Sequence, residues 1–329
     1  MQICLSFSAT APAGANPRPV PHTFSVHGIT RSIAIAVAFG TLSAACSPGP
    51  ASGWPAAVDQ AARAAPEARI LVLDLATGRL LASHRLSEAA RTLAAPGSTL
   101  KPLVLYGLIA GGRWQPARRV ACDRKLKIAG HSLACAHPPA RPFDAREALT
   151  WSCNSYFAQV ARSLGPGELG RLLRPTGLLG ATGLAENTAS SEAEAEFREP
   201  INADAVQLAL LGVEGIRVTP LELAAAYRWL ALEMSAHPRS QAAQVVRAGI
   251  EDSASFGMAR SASMGGVPVA GKTGTAEGTS SSQTHGWFAG FAPAGEPRVV
   301  VVVYLPAGRG ADAAAVAAQL LSQSPLVPR

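Results

Sequence analysis

Hydrophobic positions follow a regular pattern only from residue 68 onward. Apolar residues at 70–73 and 80–82 flank a turn-rich segment, 74–78, and this order predicts an antiparallel β-hairpin. The other end of the chain shows the same kind of pattern. It predicts three strands and a terminal helix at residues 269–275, 285–291, 298–305 and 311–322.

Helical patterns occupy the middle of the chain. A helical stretch follows residues 96–97, and a second one, 144–164, is interrupted near 151–152. Thr219 is a capping residue followed by proline and, three positions later, by glutamate, so a helix is predicted from there to about Met234.

Strands at both ends and helices between them indicate an α+β fold. We expect one antiparallel sheet built from both chain ends, flanked by helices, with a helical middle region. The composition is 48% hydrophobic and 16% charged, which favours a well-packed core over disorder. No apolar stretch reaches the roughly 18 residues that a membrane-spanning helix requires.

Residues 1–45 have the pattern of an export signal. A positive charge precedes the apolar segment 33–42, and small residues then lead to Cys46. This cysteine is a candidate for lipidation, with ordinary signal cleavage as the alternative. Because the part ahead of the signal is long, we expect translation to begin near Val26, which would leave residues 1–25 out of the product.

Composition divides the remaining chain. Residues 46–67 are rich in proline, alanine, glycine and serine and are interpreted as a flexible linker, 68–323 as the folded domain and 324–329 as a tail. We therefore expect a periplasmic or extracytoplasmic protein, which lipidation of Cys46 would anchor to a membrane. The formal charge of +7 is scattered along the sequence, and the absence of a basic cluster argues against nucleic acid as a partner.

Three short patterns carry the candidate chemistry. They are S-x-x-K at 98–101, S-x-N at 152–154 and K-T-G at 272–274, in that order. The first lies at a predicted helix start, the second at the break in a helix and the third in a predicted strand. Two of the four lysines in the chain belong to these patterns, so the two are candidates for a role beyond surface charge.

Spacing in the first pattern suits nucleophilic catalysis. Ser98 and Lys101 lie one helical turn apart, so the lysine amine can deprotonate the serine hydroxyl. The amine must be neutral to do so, and we expect a second cation, Lys272, and the positive end of the helix to lower its pKa. Ser152 is the candidate for relaying the proton to a leaving amine, and Asn154 for positioning a substrate amide.

The third pattern suits the binding of a carboxylate. Lys272 together with the hydroxyl groups of Thr273 and Thr275 can hold a terminal carboxylate. Gly274 has no side chain and is expected to let the substrate lie against the strand edge. The backbone N–H groups of Ser98 and Thr275 are the candidate oxyanion donors.

These motifs and their flanking residues resemble the transpeptidase domain of penicillin-binding proteins. The similar segments are residues 96–102, 151–157, 218–224, 271–276 and 286–293. The resemblance implies an acyl-serine enzyme, a D,D-transpeptidase or D,D-carboxypeptidase that acts on D-Ala-D-Ala ends of peptidoglycan stem peptides, is inhibited by β-lactams and uses no cofactor. It also implies a cell-wall partner protein, because the motifs of a glycosyltransferase domain are missing from the sequence.

Two alternatives stay open at this point. A serine β-lactamase would need a base for deacylation, and Glu199 in the segment 198–202 is the candidate, although its spacing to Asn202 is one residue short of the class A pattern. A non-catalytic β-lactam-binding or scaffold protein is the second alternative. Such a protein is expected to have lost one of the motif residues, and all of them are present.

Cysteines form a further candidate site. Cys122 and Cys135 lie close together in an exported chain, so we expect a disulfide between them. The alternative is a zinc site in which Asp123 and His137 complete the ligands, and the resemblance supports it because some relatives carry metal near this loop. Cys153 is interpreted as a small buried core residue.

Overall fold

The computed structural model describes residues 53–138, 141–185, 191–277 and 283–327. The predicted export signal at 1–45 and the lipidation candidate Cys46 lie outside the described residues. The helices are α1 (Trp54–Ala64), α2 (Leu86–Ala89), α3 (Lys101–Ala110), α4 (Ala145–Thr150), α5 (Asn154–Ala161), α6 (Glu168–Leu173), α7 (Ala203–Leu210), α8 (Pro220–Ala236), α9 (Gln241–Ser255) and α10 (Gly310–Ser322). The strands are β1 (Arg69–Asp74), β2 (Leu80–His84), β3 (Lys125–Ile128), β4 (His131–Ala134), β5 (Glu196–Phe197), β6 (Ile216–Arg217), β7 (Ala270–Glu277), β8 (Thr284–Ala292) and β9 (Val299–Leu305).

Five strands from both ends of the chain form one antiparallel sheet, in the order β2-β1-β9-β8-β7. The seam between the two ends is the pairing of β1 with β9, in which Leu71 lies opposite Val302. Strand β7, which carries the K-T-G pattern, lies at one edge of the sheet. The predicted α+β fold class is confirmed.

Alternation along the central strands divides the core in two. Leu71 and Leu73 of β1 pack into the larger hydrophobic cluster with the helical middle region, including α3, α5 and α8. Ile70 and Val72 point to the opposite face and pack with α1 and α10. Both faces are covered, which explains why β1 and the valine-rich β9 are apolar at consecutive positions.

The N-terminal segment differs from the prediction. Residues 46–67 were expected to be a flexible linker, but 54–64 form helix α1, which packs against α10. The alanine-rich composition that suggested a linker also favours a helix, and Val58, Ala61 and Ala62 form its buried stripe. The error arose because alanine is apolar enough to be buried yet gives a weak hydrophobic pattern.

Two helix boundaries are important for the site. The predicted interruption at 151–152 lies between α4 and α5, where Ser152 has a left-handed backbone conformation with φ of 56°. Helix α8 begins with the predicted capping box, in which Thr219 and Glu222 each bond the other's backbone N–H. Among the described residues, no helix combines the length and apolar character needed to cross a membrane.

Candidate active site

Ser98 lies in a single 3₁₀ turn, Gly97–Leu100, that leads directly into α3. Gly97 has a positive φ of 55°, and its N–H donates to the carbonyl of Gly212 at 2.9 Å. A methyl group on Gly97 would lie 3.1 Å from both the backbone N and O of Thr275. The glycine therefore lets the serine turn approach strand β7 closely. The role of the Ser98 and Thr275 N–H groups as oxyanion donors stays a prediction.

The carbonyl ahead of this turn is anchored by two side chains of β8. His285 Nε2 lies 2.8 Å from the Ala95 oxygen, and Trp287 Nε1 donates to the same oxygen at 3.0 Å. Burial lowers the pKa of His285, which favours the neutral ring with Nε2–H as donor. The sequence analysis assigned no role to His285. Its one signal in the sequence is that strand alternation places His285 on the same face of β8 as Trp287.

Lys101 is fully buried and connects the first two motifs. Its Nζ donates to the backbone oxygen of Ser152 at 3.0 Å, to Ser152 Oγ at 3.2 Å and to Asn154 Oδ1 at 2.7 Å. It also lies 5.1 Å from the centre of the Phe157 ring. Among the described residues these hydrogen-bond acceptors all belong to S-x-N, so the lysine amine is already held beside Ser152, one helical turn from Ser98.

Burial is the main cause of the pKa shift of Lys101, which falls to about 8. We expected Lys272 and the helix terminus to be the causes, and the structure corrects this: the positive charge of Lys101 helps to lower the pKa of Lys272 instead. At a pKa of about 8, roughly one-tenth of the Lys101 amine is neutral at pH 7. This fraction is large enough for the amine to act as a base.

Asn154 is engaged on both sides of its amide. Its Oδ1 accepts from Lys101, while Nδ2 lies 3.4 Å from the carbonyl oxygens of Leu133 and Ala134 in strand β4. These contacts orient Lys101 relative to the β3-β4 hairpin. A contact of Asn154 with a substrate amide stays a prediction.

The K-T-G residues lie on β7, where hydrogen bonds hold the side chains of Lys272 and Thr273 and that of the following Thr275. Lys272 is fully buried and its Nζ donates to the Thr273 carbonyl at 3.1 Å. Burial, with the charge of Lys101, holds the pKa of Lys272 well below its ordinary value. Thr273 Oγ1 donates to the Met258 carbonyl at 3.4 Å, and Thr275 Oγ1 accepts from Gly310 N–H at 2.9 Å.

Gly274 has a packing role that the sequence analysis did not include. A methyl group at this position would lie 2.5 Å from the Pro96 carbonyl oxygen and 3.1 Å from Thr99 Cγ2. Gly274 is itself buried, and its missing side chain makes room for the segment that carries Ser98. A contact of this strand edge with substrate stays a prediction. Sequence alone could not distinguish these two uses of a glycine.

Beside S-x-N, three cysteines and a histidine form a compact cluster. The ligand atoms of Cys122, Cys135, His137 and Cys153 all lie within 4.8 Å of one another. Cys122 Sγ is 3.4 Å from Cys135 Sγ and 3.2 Å from His137 Nε2. The 3.4 Å between the sulfur atoms far exceeds the ~2.05 Å of a disulfide bond, and the three cysteines are free thiols.

The fourth member of this cluster corrects the sequence analysis. Asp123 was the expected ligand, but Cys153 takes that place. Cys153 is buried, as predicted, and it is also the middle residue of S-x-N and the N-cap of α5. Its approach to Cys122 depends on tertiary packing, and only the spacing within the hairpin was visible in the sequence.

The donor set fits zinc. Three thiols and one imidazole are the ligands of a Cys₃His structural site. His137 Nδ1 lies 2.7 Å from the Pro138 carbonyl, a contact that places the ring hydrogen on Nδ1 and turns the Nε2 lone pair toward Cys122. The Cys135 sulfur also accepts from the Asn154 N–H at 3.1 Å, so the cluster is joined directly to the catalytic motif.

Glu199, the candidate base of a β-lactamase, lies elsewhere. Its side chain lies against Gly170 of α6, where an added methyl group would be 2.5 Å from Glu199 Oε2. Glu199 also lines a cavity of about 610 Å³ beside α7. Lys101 donates to Ser152 and Asn154, and Glu199 is not among the hydrogen-bond partners described for it. This placement does not favour Glu199 as a base for a water molecule at Ser98.

Comparisons with known proteins agree with this geometry. A family model described as the penicillin binding protein transpeptidase domain matches residues 68–324. A peptidoglycan glycosyltransferase from Burkholderia ambifaria superposes with a TM-score of 0.68 at 20% identity, covering 81% of this chain and 92% of that one.

Further solved structures share the fold. The transpeptidase domain of Burkholderia pseudomallei penicillin-binding protein 3 has a TM-score of 0.67 at 19% identity, covering 81% of this chain and 90% of that chain. Pseudomonas aeruginosa PBP2, solved in complex with WCK 5153, has a TM-score of 0.66 at 20% identity, covering 81% and 76%. The family match spans most of the chain, and the protein belongs to the penicillin-binding protein transpeptidase domain family.

Proposed function

We propose that the protein is a serine-type acyl-transferase that acts on D-Ala-D-Ala ends of peptidoglycan stem peptides, as a D,D-transpeptidase or D,D-carboxypeptidase. One observation carries the proposal. The buried Lys101 amine is held against Ser152 and Asn154, one turn from Ser98, with a pKa low enough for a base. The buried Lys272 on β7 is the residue that we assign to binding the carboxylate of the substrate.

Acylation begins with proton transfer from Ser98 Oγ to the neutral amine of Lys101. The oxygen attacks the carbonyl carbon of the penultimate D-alanine, and the N–H groups of Ser98 and Thr275 stabilise the resulting oxyanion. Ser152 then passes a proton to the leaving nitrogen and takes one from Lys101, as the C–N bond breaks. The products are an acyl ester on Ser98 and free D-alanine.

The second half-reaction reverses these transfers. An amine of another stem peptide, or water, attacks the ester carbonyl and gives up one proton to the Ser152 and Lys101 pair. The C–O bond breaks and the proton returns to Ser98 Oγ, which restores the enzyme. An amine acceptor gives a cross-link, and water gives a trimmed peptide.

We also propose that Cys122, Cys135, His137 and Cys153 hold a zinc ion. When bound, the ion supplies a structural link between the β3-β4 hairpin and the segment that follows α4. Because Cys153 lies between Ser152 and Asn154, fixing its thiolate fixes the orientation of both neighbours. Lys101 in turn depends on those neighbours for all three of its described hydrogen bonds.

An extracytoplasmic location is part of the proposal. The sequence pattern at 1–45 supports export, and Cys46 supports anchoring to a membrane by a lipid. Stem peptides and β-lactams are the small-molecule partners that the family implies. Cell fractionation with a Cys46→Ser variant tests the anchor, since the variant is expected to leave the membrane fraction.

The decisive experiment combines a β-lactam and a stem pentapeptide. We expect one covalent β-lactam equivalent on Ser98 by intact-mass spectrometry, and release of D-alanine from the peptide with and without an acceptor amine. Ser98→Ala is expected to lose both. Ser235→Ala, which changes an exposed serine of α8, is the matched control and keeps both. A full adduct on Ser98→Ala would refute the proposal.

A further inference from the structure

An aromatic pair is exposed beside the motif serine of the second pattern. Phe256 is 52% exposed, and its ring centre lies 6.1 Å from that of Trp151, with the planes inclined by 58°. Trp151 directly precedes Ser152, and Phe256 directly follows α9. An exposed phenylalanine next to a partly exposed tryptophan presents a continuous apolar surface that the fold itself does not cover. We call these two residues the aromatic pair.

The segment that follows α9 contacts K-T-G and the last residue of α4, two positions before S-x-N. Met258 N–H donates to the Thr150 carbonyl at 3.1 Å, and the Met258 carbonyl accepts from Thr273 Oγ1 at 3.4 Å. Gly257 permits this approach, since a methyl group there would lie 2.4 Å from the Thr150 oxygen. The aromatic pair is therefore held within two residues of a contact with K-T-G and directly adjacent to S-x-N.

The direction of β7 defines which side of the scissile bond the aromatic pair occupies. In the proposed reaction the oxyanion lies at the N–H of Thr275, and the terminal carboxylate lies toward Thr273 and Lys272. The leaving D-alanine therefore extends from Thr275 toward Thr273, a distance of roughly 7 Å along the strand. Met258 contacts Thr273, so the aromatic pair lies on the leaving-group side.

Because the two half-reactions follow the same path in opposite directions, the leaving-group side must also receive the acceptor amine. An acceptor amine that attacks the ester follows the departure path of the leaving amine in reverse, so it must enter from the side that D-alanine has left. We propose that Trp151 and Phe256 bind the acceptor stem peptide, packing against the methylene groups of its amine-bearing side chain, and thereby favour cross-linking over hydrolysis. This inference rests on the proposed acyl-transferase function.

The chemistry of the surface fits that occupant. An alkyl amine brings an apolar stem with a charged tip, and such side chains lie along apolar surface while the tip stays polar. The aromatic faces also attract the ammonium form before it loses its proton. A water molecule obtains no binding free energy from contact with apolar surface, whereas the alkyl chain of the amine does. The aromatic pair therefore favours the amine over water as the nucleophile.

The test measures partitioning of the acyl-enzyme. Phe256→Ala and Leu232→Ala are compared with the unaltered protein, Leu232 being an exposed apolar residue of α8 that serves as the matched control. Each protein receives a stem pentapeptide and increasing acceptor amine, and the cross-linked and hydrolysed products are weighed. The rate of β-lactam acylation, which needs no acceptor, is measured in parallel.

For Phe256→Ala we expect the ratio of cross-linked to hydrolysed product to fall about five-fold, with a rise in the acceptor concentration for half-maximal cross-linking. The change in acylation rate is expected to be smaller, below about two-fold, and Phe256→Tyr should restore the ratio. Leu232→Ala should match the unaltered protein. An unchanged ratio in Phe256→Ala, or an equal fall in Leu232→Ala, would overturn the inference, whereas absence of any adduct or product with the unaltered protein would refute the proposed function instead.

Discussion

Lys101 Nζ and Asn154 Oδ1 lie 2.7 Å apart, although 53 positions separate the two residues in the sequence. This is the shortest of the three hydrogen bonds that the buried amine donates, and the other two go to Ser152. The base of the proposed reaction is thus oriented by the second motif, while the nucleophile lies in the first. Any change that moves the segment between α4 and α5 should also move the base.

The pH dependence of acylation should report on Lys101. Burial lowers its pKa to about 8, and the neutral amine is the reactive form. The reactive fraction therefore rises with pH, and the second-order rate of β-lactam acylation should increase about ten-fold between pH 7 and pH 9. Lys127→Ala, which removes an exposed lysine of β3, should keep this profile. A flat profile would contradict the assignment of the base.

The contact between Gly97 and Gly212 should be essential for the serine turn. Gly212 has a φ of 68°, and a methyl group there would lie 2.3 Å from the Gly97 carbonyl oxygen. We expect Gly212→Ala to lower the free energy of unfolding by roughly 2–4 kcal/mol and to lower acylation at least about 100-fold.

Gly266→Ala is the control for that substitution. Gly266 also has a positive φ, 74°, but nothing lies within 4 Å of the added methyl group. Only backbone strain applies, so we expect a loss of about 1–2 kcal/mol and nearly normal acylation. Thermal melts measure the stability of both variants, and β-lactam labelling measures their acylation. Equal effects of the two substitutions on acylation would show that the close contact does not position Ser98.

Zinc content should follow the cysteine cluster. Elemental analysis of protein purified under reducing conditions is expected to give about one zinc per chain. Cys153→Ser should lose the metal and lower the melting temperature by on the order of 5–10 °C. Asp123→Asn should keep it, because Asp123 lies outside the cluster. Metal-free protein in which Cys122, Cys135 and Cys153 all titrate as free thiols would reject the site.

The lifetime of the acyl-enzyme should distinguish this protein from a β-lactamase. Glu199 lies against Gly170 of α6, and it is not among the hydrogen-bond partners described for Lys101. We expect the penicilloyl-enzyme to persist for minutes, with the same lifetime in Glu199→Ala. Penicillin labelling followed over time measures this. Rapid turnover that disappears in Glu199→Ala would establish the β-lactamase alternative.

Local signals in the sequence were sufficient for most of the framework. The capping box at Thr219, the interruption before Ser152 and the hairpin beginning near residue 70 are set by neighbouring residues, and the structure has each of them. Helix α1 was missed because alanine gives no strong pattern until another surface, here α10, covers it.

Tertiary contacts determined what the sequence could not predict. Cys153 joins Cys122 only through packing of the hairpin on α5, and Gly274 meets Pro96 only when the serine turn lies against β7. The pKa of Lys101 likewise depends on burial by distant segments, which is why the expected causes were wrong. Phe256 gave no signal because a single exposed aromatic residue fits many surfaces.

The pairing of β1 with β9 has a consequence for biosynthesis. Arg69 lies opposite Tyr304, so one edge of β1 has no partner until nearly the whole domain has been synthesised. Such a high contact order slows folding, and the apolar segment Ile70 to Leu73 is meanwhile open to pairing with other chains. Chains truncated before Val299 should therefore aggregate although every catalytic motif is present, because the nascent polypeptide reaches its native topology only when its last strand arrives.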